Sequence, residues 1–372
     1  MNFIDLAAQQ DRLRPAIEAH IAAVLAHGRY IMGPEVTQFE AELAEFGRAK
    51  HALGCANGTD ALILPLMVWG VGPGDAVFVP SFTYCATAEC VALQGATPVF
   101  VDIDRDTYNM CADSLQAAVQ GVIREGRLTP RAVIAVDLFG QSADYPAIAP
   151  IAREHGLKLI ADSAQGFGTT LDGLHPLSWA DVATTSFFPA KPLGCYGDGG
   201  AILTDDDALA AALDSARIHG KGADKYDNVR IGLNSRLDTI QAAVLLPKLA
   251  VFADEIEARN RIAERYRNGL AQTAVRRLPQ VRDGVVSTWA QYTIEVDDPV
   301  ALGAALKEEG IPTARYYPKP IHRQTAYREF PVGAGGMNRT DDCTDHIISL
   351  PMSAYVSESD QDRVIDAVRR HA

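Results

Sequence analysis

Lys191 lies in Thr185-Ser186-Phe187-Phe188-Pro189-Ala190-Lys191-Pro192-Leu193-Gly194, where an apolar run gives way to a polar, glycine-rich turn. A lysine at the end of a buried strand loses hydration, which disfavours its charge and lowers its pKa. A neutral amine is a nucleophile and a base, the state needed to form a Schiff base with a carbonyl. Ser186 stands five residues earlier, at the end of the same predicted strand, where a hydroxyl could donate to a phosphate. In Leu159-Ile160-Ala161-Asp162-Ser163-Ala164-Gln165 a second apolar run ends in an aspartate. A carboxylate there faces the cleft and could hold a cation, a metal or the nitrogen of a pyridine ring, or simply cap a helix. Asn57-Gly58-Thr59-Asp60-Ala61-Leu62 reads as a loop entering a helix, with Thr59 or Asp60 as a first-turn or capping residue. The free amides at such a helix start form an anion site.

Taken singly, each segment has a plain structural reading as a cap or a surface loop. Together they supply what pyridoxal 5′-phosphate requires. Lys191 provides the amine, and Asp162 the acid that keeps a pyridine nitrogen protonated so that the ring can accept electrons. The helix start at Gly58 and the Ser186 hydroxyl provide phosphate donors, and Tyr84 an aromatic face for the ring. Competing motifs fail. Gly70-Val71-Gly72-Pro73-Gly74-Asp75 is not a dinucleotide fingerprint and follows a helix, and no Walker A, G-x-S-x-G or H-E-x-x-H sequence occurs. The histidines show no metal-ligand spacing, so no metal is expected.

The elements that must position these groups are legible as well. Helices are expected over 7–27 and Pro34–Phe46. Between 51 and 205, short apolar runs (Ala76–Pro80, Pro98–Ile103, Ala132–Phe139, Lys158–Asp162, Val182–Phe187, Ala201–Thr204) alternate with helical segments (Thr59–Val68, Ala86–Gln94, Tyr145–His155, Asp206–Arg217). This alternation predicts an α/β fold with a mainly parallel, doubly wound sheet, whose ligands bind at the carboxyl ends of the strands. A long helical pattern follows from Arg236 to about Leu270, with a kink expected at Pro247. The last third reads as a small α+β unit: strand Gln291–Val296, helix Pro299–Glu309, strand Pro312–Tyr317 and a helix from about Ser359 to Arg370. We divide the chain into an N-terminal arm and large unit, 1–245, and a linking helix and small unit, 246–372.

The composition, with a net charge of −13, argues against a nucleic-acid partner, so an anionic substrate needs a local basic cluster. No apolar window is long enough to span a membrane, and the first residues lack the pattern of a signal peptide, so a cytoplasmic location is expected. Cys55, Cys85, Cys90, Cys111, Cys195 and Cys343 form no C-x-x-C pair and are expected to be reduced.

The chain resembles the sugar aminotransferases of the DegT/DnrJ/EryC1/StrS family. The resemblance runs from Phe3-Ile4-Asp5-Leu6 and Arg29-Tyr30-Ile31-Met32-Gly33-Pro34-Glu35-Val36 to Ser349-Leu350-Pro351-Met352-Ser353, and rests above all on Asp162-x-x-Gln165 and Ser186-x-x-x-x-Lys191. It implies a fold-type-I, pyridoxal-phosphate-dependent transferase with a seven-stranded sheet. It implies Lys191 as Schiff-base lysine and proton shuttle, Asp162 at the pyridine nitrogen and Gln165 beside the ring hydroxyl. Gly58, Thr59, Asp60 and Ser186 fall at the phosphate, and Tyr84 at the ring face. Asn234 matches a residue that reaches the phosphate from a neighbouring subunit, which implies a homodimer with shared sites.

His219, Arg230, Arg236, Tyr316 and Tyr317 become candidate contacts for a nucleotide-sugar, with Lys221, Lys319, His322 and Arg323 as further cations. Tyr316 stands where many relatives carry histidine. Ser186–Gly200 and Leu233–Asp238 resemble the branch that moves an amino group from L-glutamate to C3 of UDP-2-acetamido-2-deoxy-3-oxo-D-glucuronate for O-antigen sugar synthesis. A dTDP-3-keto or UDP-4-keto hexose is the alternative acceptor, and a catalytically silent regulatory relative the remote one.

Overall fold

In the computed structural model, which describes residues 1–224 and 226–372, the chain opens with helices α1 (Leu6–His27) and α2 (Pro34–Phe46). Strands and helices then alternate: β1 (His51–Cys55), α3 (Gly58–Val68), β2 (Asp75–Pro80), α4 (Ala86–Leu93), β3 (Thr97–Val101), α5 (Ala112–Glu125), β4 (Thr129–Val136), α6 (Tyr145–Glu154) and β5 (Lys158–Asp162). After the short β6 (Thr170–Leu171) come β7 (Val182–Ser186), β8 (Gly200–Thr204) and α7 (Asp207–Ala216). Helices α8 (Thr239–Ala250) and α9 (Phe252–Leu270) lead to the short β9 (Val285–Val286), then β10 (Tyr292–Glu295), α10 (Pro299–Glu308), α11 (Asn338–His346), β11 (Ile347–Leu350) and α12 (Glu358–His371).

The main sheet has seven strands in the order β1-β8-β7-β5-β4-β2-β3. β7, β5, β4, β2 and β3 run parallel, while β8 is antiparallel to both β7 and β1. The parallel strands are nearly all buried because helices cover both faces, which explains their unbroken apolar runs. One apolar cluster joins the sheet to α2, α5, α6 and α8, and a second joins it to α3, α4 and α7.

Three expectations need correction. β1 was not among the predicted apolar runs; it is a five-residue edge strand containing Gly54. The long helix does not break at Pro247, which sits inside α8, but one turn later at Val251, whose φ of −109° and ψ of 1° leave the helical region. Pro247 forfeits the bond to the Ala243 carbonyl without ending the helix, which runs on to Ala250. Pro312–Tyr317 is not a strand; Ala314 alone bridges to Ser349, and the small sheet is instead β10 paired with β11. Position 245 lies within α8, and the core changes over further on, between Ile256 and Ile262 of α9.

Candidate active site

The carboxyl ends of β2, β5 and β7 and the start of α3 converge on one cleft of about 710 Å³. Gly58, Thr59, Asp60, Tyr84, Asp162, Gln165, Ser186, Lys191, Tyr316 and Tyr317 all line it. Thr59 and Asp60 stand in the first turn of α3, and Asn57 is its cap: Asn57 is extended, and its side-chain oxygen accepts from the Asp60 amide at 2.8 Å. That leaves the amides of Gly58 and Thr59 without helical partners at the helix tip. Opposite them stands Ser186, so near that a Cβ on Gly58 would lie 2.6 Å from Ser186 Cβ and 3.0 Å from its Oγ. The cradle between helix tip and hydroxyl therefore has room for an anion only because residue 58 is glycine.

Asp162 ends β5 and is 4% exposed. Its Oδ2 accepts from the Thr87 hydroxyl at 3.1 Å and its Oδ1 from the Ala164 amide at 3.2 Å. Burial pushes its pKa up, against the pull of the Ala164 amide, the Lys191 charge and Thr87. A lowered value is what a cationic ring beside it produces; in the protein alone burial prevails.

Lys191 sits in a turn between β7 and β8, where its amide donates to Phe188 C=O at 2.8 Å. Burial lowers its pKa, and Asp162 partly offsets that effect. Gly194 closes the turn with no space for a Cβ, its ideal position falling 2.6 Å from Pro189 O. Lys248 of α8 holds the same turn by donating to Gly194 C=O at 2.7 Å.

Gln165 accepts from the Phe139 amide at 2.8 Å and donates to the Tyr317 hydroxyl at 2.9 Å. Tyr84 is 57% exposed at the mouth, its ring centroid 6.4 Å from that of Tyr317. Tyr316 packs between Phe3 and Tyr317.

Four expected residues do not join this cleft. His219, Arg230, Arg236 and Asn234 belong to the excursion between α7 and α8. His219, Arg230 and Asn234 are exposed, and Arg236 donates to Asn234 Oδ1. Lys319 and Lys221 are exposed as well. Arg323 is paired with Asp341 at 2.7 Å, and His322 lies between Ser81 at 2.7 Å and Asp341 at 3.2 Å. Among the described residues Lys191 is the only cation lining the cleft. The sequence reading missed Asn57, Thr87 and Gln291, which also line it. Thr87, one turn along from Tyr84, was the one that pattern could have found.

A buried amine whose pKa burial lowers, a buried carboxylate, and a helix tip paired with a hydroxyl are the donor set of pyridoxal phosphate, and the cleft's residues fit that group. The amine can take up and return protons, the carboxylate can hold a ring proton, and the cradle can hold a phosphate. On this fold the arrangement defines a pyridoxal-phosphate-dependent enzyme.

Comparison with known proteins narrows the class. The model of the DegT/DnrJ/EryC1/StrS aminotransferase family matches residues 11–369. The chain is 47% identical over 362 residues to the UDP-2-acetamido-2-deoxy-3-oxo-D-glucuronate aminotransferase of Pseudomonas aeruginosa, covering 96% of each. A crystal structure of a DegT DnrJ EryC1 StrS aminotransferase from Brucella abortus superposes with a TM-score of 0.98 at 54% identity, covering 100% of this chain and 99% of that one. Streptomyces venezuelae DesV gives a TM-score of 0.93 at 38% identity, covering 99% and 97%. The chain belongs to the DegT/DnrJ/EryC1/StrS aminotransferase family.

Proposed function

We propose that the protein moves the amino group of L-glutamate to C3 of UDP-2-acetamido-2-deoxy-3-oxo-D-glucuronate, for the synthesis of a surface-polysaccharide sugar. The observation that carries the transamination is the meeting of Lys191, Asp162 and the Gly58–Ser186 cradle in one cleft. Support for the acceptor comes from the similarity to the P. aeruginosa enzyme over nearly the whole of both chains.

In this reading the Gly58 and Thr59 amides and Ser186 Oγ would hold the phosphate, Asp162 would hold the pyridine nitrogen, and Tyr84 would offer an aromatic face to the ring. Bound pyridoxal phosphate supplies an electron sink that makes the Cα–H of the amino donor acidic. Lys191 Nζ takes that proton, and in the second half of the cycle delivers one to C3 of the sugar; a lysine whose neutral form is favoured by burial suits this work. Thr87 and the Ala164 amide keep Asp162 oriented and favour its charged form.

We further propose a homodimer with shared sites. The sugar's diphosphate and carboxylate need cations, and the cleft offers only Lys191 among the described residues. Asn234, Arg236, Arg230 and His219, displayed on the exposed excursion, would serve the partner's cleft.

The test is to incubate cofactor-loaded enzyme with glutamate and a panel of nucleotide keto-sugars while following 2-oxoglutarate release. Turnover with the UDP-linked 3-oxo-uronate is expected. Release with a dTDP-sugar alone overturns the acceptor.

A further inference from the structure

Beneath the turn that carries Asp162 and Gln165 lies a second carboxyl, which the reaction as described does not use. Asp137 follows β4 and is wholly buried. Its amide donates to Asp162 C=O at 2.9 Å. Its Oδ2 accepts from the Ser163 hydroxyl at 2.5 Å, and its Oδ1 from the Ala143 amide and the Tyr145 hydroxyl, both at 2.9 Å. Gly166 presses on it from the other side: a Cβ there would lie 2.3 Å from Asp137 Cβ. Asp162, Ser163 and Gly166 are thus each fixed against one residue, and Gln165 between them is fixed to Phe139, two positions after it.

Packing alone would be served by an apolar side chain, because burying a carboxyl is costly. What a carboxyl adds is acceptors for three donors from two segments, and a charge below Asp162.

We propose that Asp137 is a positioning residue for the cofactor: its carboxyl sets the 162–166 turn, and its charge acts on the cofactor through Asp162. The titratable groups facing it are Asp162 at the end of β5 and Tyr145 on α6. Burial pushes Asp137 up to about 7, against the pull of its three donors and with Asp162 adding to the rise. It therefore gains charge across the neutral range. The proposal rests on Asp162 facing the ring nitrogen.

The experiment is a pH titration of the visible absorbance of the holoprotein, without any sugar. Asp137→Asn keeps the size and loses the charge. It should fold and bind cofactor, with a midpoint about half a unit or more lower, because a negative charge near a cationic cofactor favours its protonated form. Tyr145→Phe keeps the carboxyl but removes one donor, so Asp137 ionises later and the midpoint moves the same way by less. It also serves if Asp137→Asn does not fold. In turnover, kcat should fall more than KM changes. Wild-type midpoints in both variants overturn the proposal. Asp162→Asn is the reference: an unchanged midpoint there overturns the placement of Asp162 at the ring instead.

Discussion

The close approach of Gly58 to Ser186 offers a direct test of the phosphate cradle. Gly58→Ala adds one methyl at a helical position, where alanine is no backbone burden and within a helix is favoured over glycine by up to ~1 kcal/mol. The methyl would stand 2.6 Å from Ser186 Cβ, closer than real Cβ atoms come, and 3.0 Å from Ser186 Oγ, so the helix tip and the end of β7 must separate. Overpacking of this kind costs about 1–3 kcal/mol, which the helix gain offsets in part, so the apoprotein should melt close to wild type. The cofactor fares worse, because its phosphate needs the amides and the hydroxyl at their present spacing. Losing one hydrogen bond to a charged group costs about 1.5–3 kcal/mol, and at ~1.4 kcal/mol per decade that is a tenfold to hundredfold weaker Kd. Titrating apoprotein with pyridoxal phosphate and following its absorbance reads this directly. A Gly58→Ala protein that binds the cofactor within twofold of wild type would refute the cradle.

Other outcomes follow from the same geometry. Lys191→Ala should abolish turnover while leaving the fold intact; transamination at the wild-type rate removes the lysine from its role. Since burial lowers the Lys191 pKa and the base form is the working one, activity should rise with pH through that lowered value, and a rate that falls over the same limb contradicts the reading. His175 is held neutral, its pKa lowered by burial, then by Arg48, to about 4. The unfolded chain binds that proton first as the pH falls, so stability is full above the unfolded value of ~6.5 and is lost towards 4. At ~1.4 kcal/mol per unit the loss is on the order of 3 kcal/mol. Urea unfolding at several pH values should show a flatter slope for His175→Gln, and an unchanged slope dismisses the assignment. Mixing Lys191→Ala protein with Arg236→Ala protein should restore activity that neither has alone; if it does not, the sites are not shared.

The chemistry was the most legible part of the chain because it sits where regular elements stop. Asp162 and Ser186 are the last residues of their strands, and both ends were expected within a residue, since an apolar run that meets a polar residue marks its own limit. β1 escaped notice because five residues containing a glycine carry little pattern, and its antiparallel place beside β8 is set by partners far along the chain. Pro312–Tyr317 looked like a strand from its residue types, yet Ala314 alone bridges to Ser349, while β11 forms its ladder with β10. Asn57 was passed over because the cap stands one residue before the glycine that drew attention, and Thr87 because its partner Asp162 is 75 residues away in sequence. The role proposed for the 219–236 excursion depends on assembly, which the pattern of one chain does not carry.

The turn of Lys191 also bears on how this enzyme could be changed. It is the tip of a hairpin fastened where Ser186 pairs with Gly200, with Phe187 bonded to both Gly199 and Cys195, and with Gly194 and Lys248 closing it from inside. An insertion anywhere along it would shift the amine relative to Asp162, whereas the excursion between α7 and α8 is exposed at His219, Lys221 and 226–231 and rejoins the body at Leu233 and at Ser235, which accepts from the Ala56 amide. On the shared site proposed above, alteration of sugar preference would begin with grafts at 219–231, leaving the hairpin as an untouched cassette that delivers the same amine.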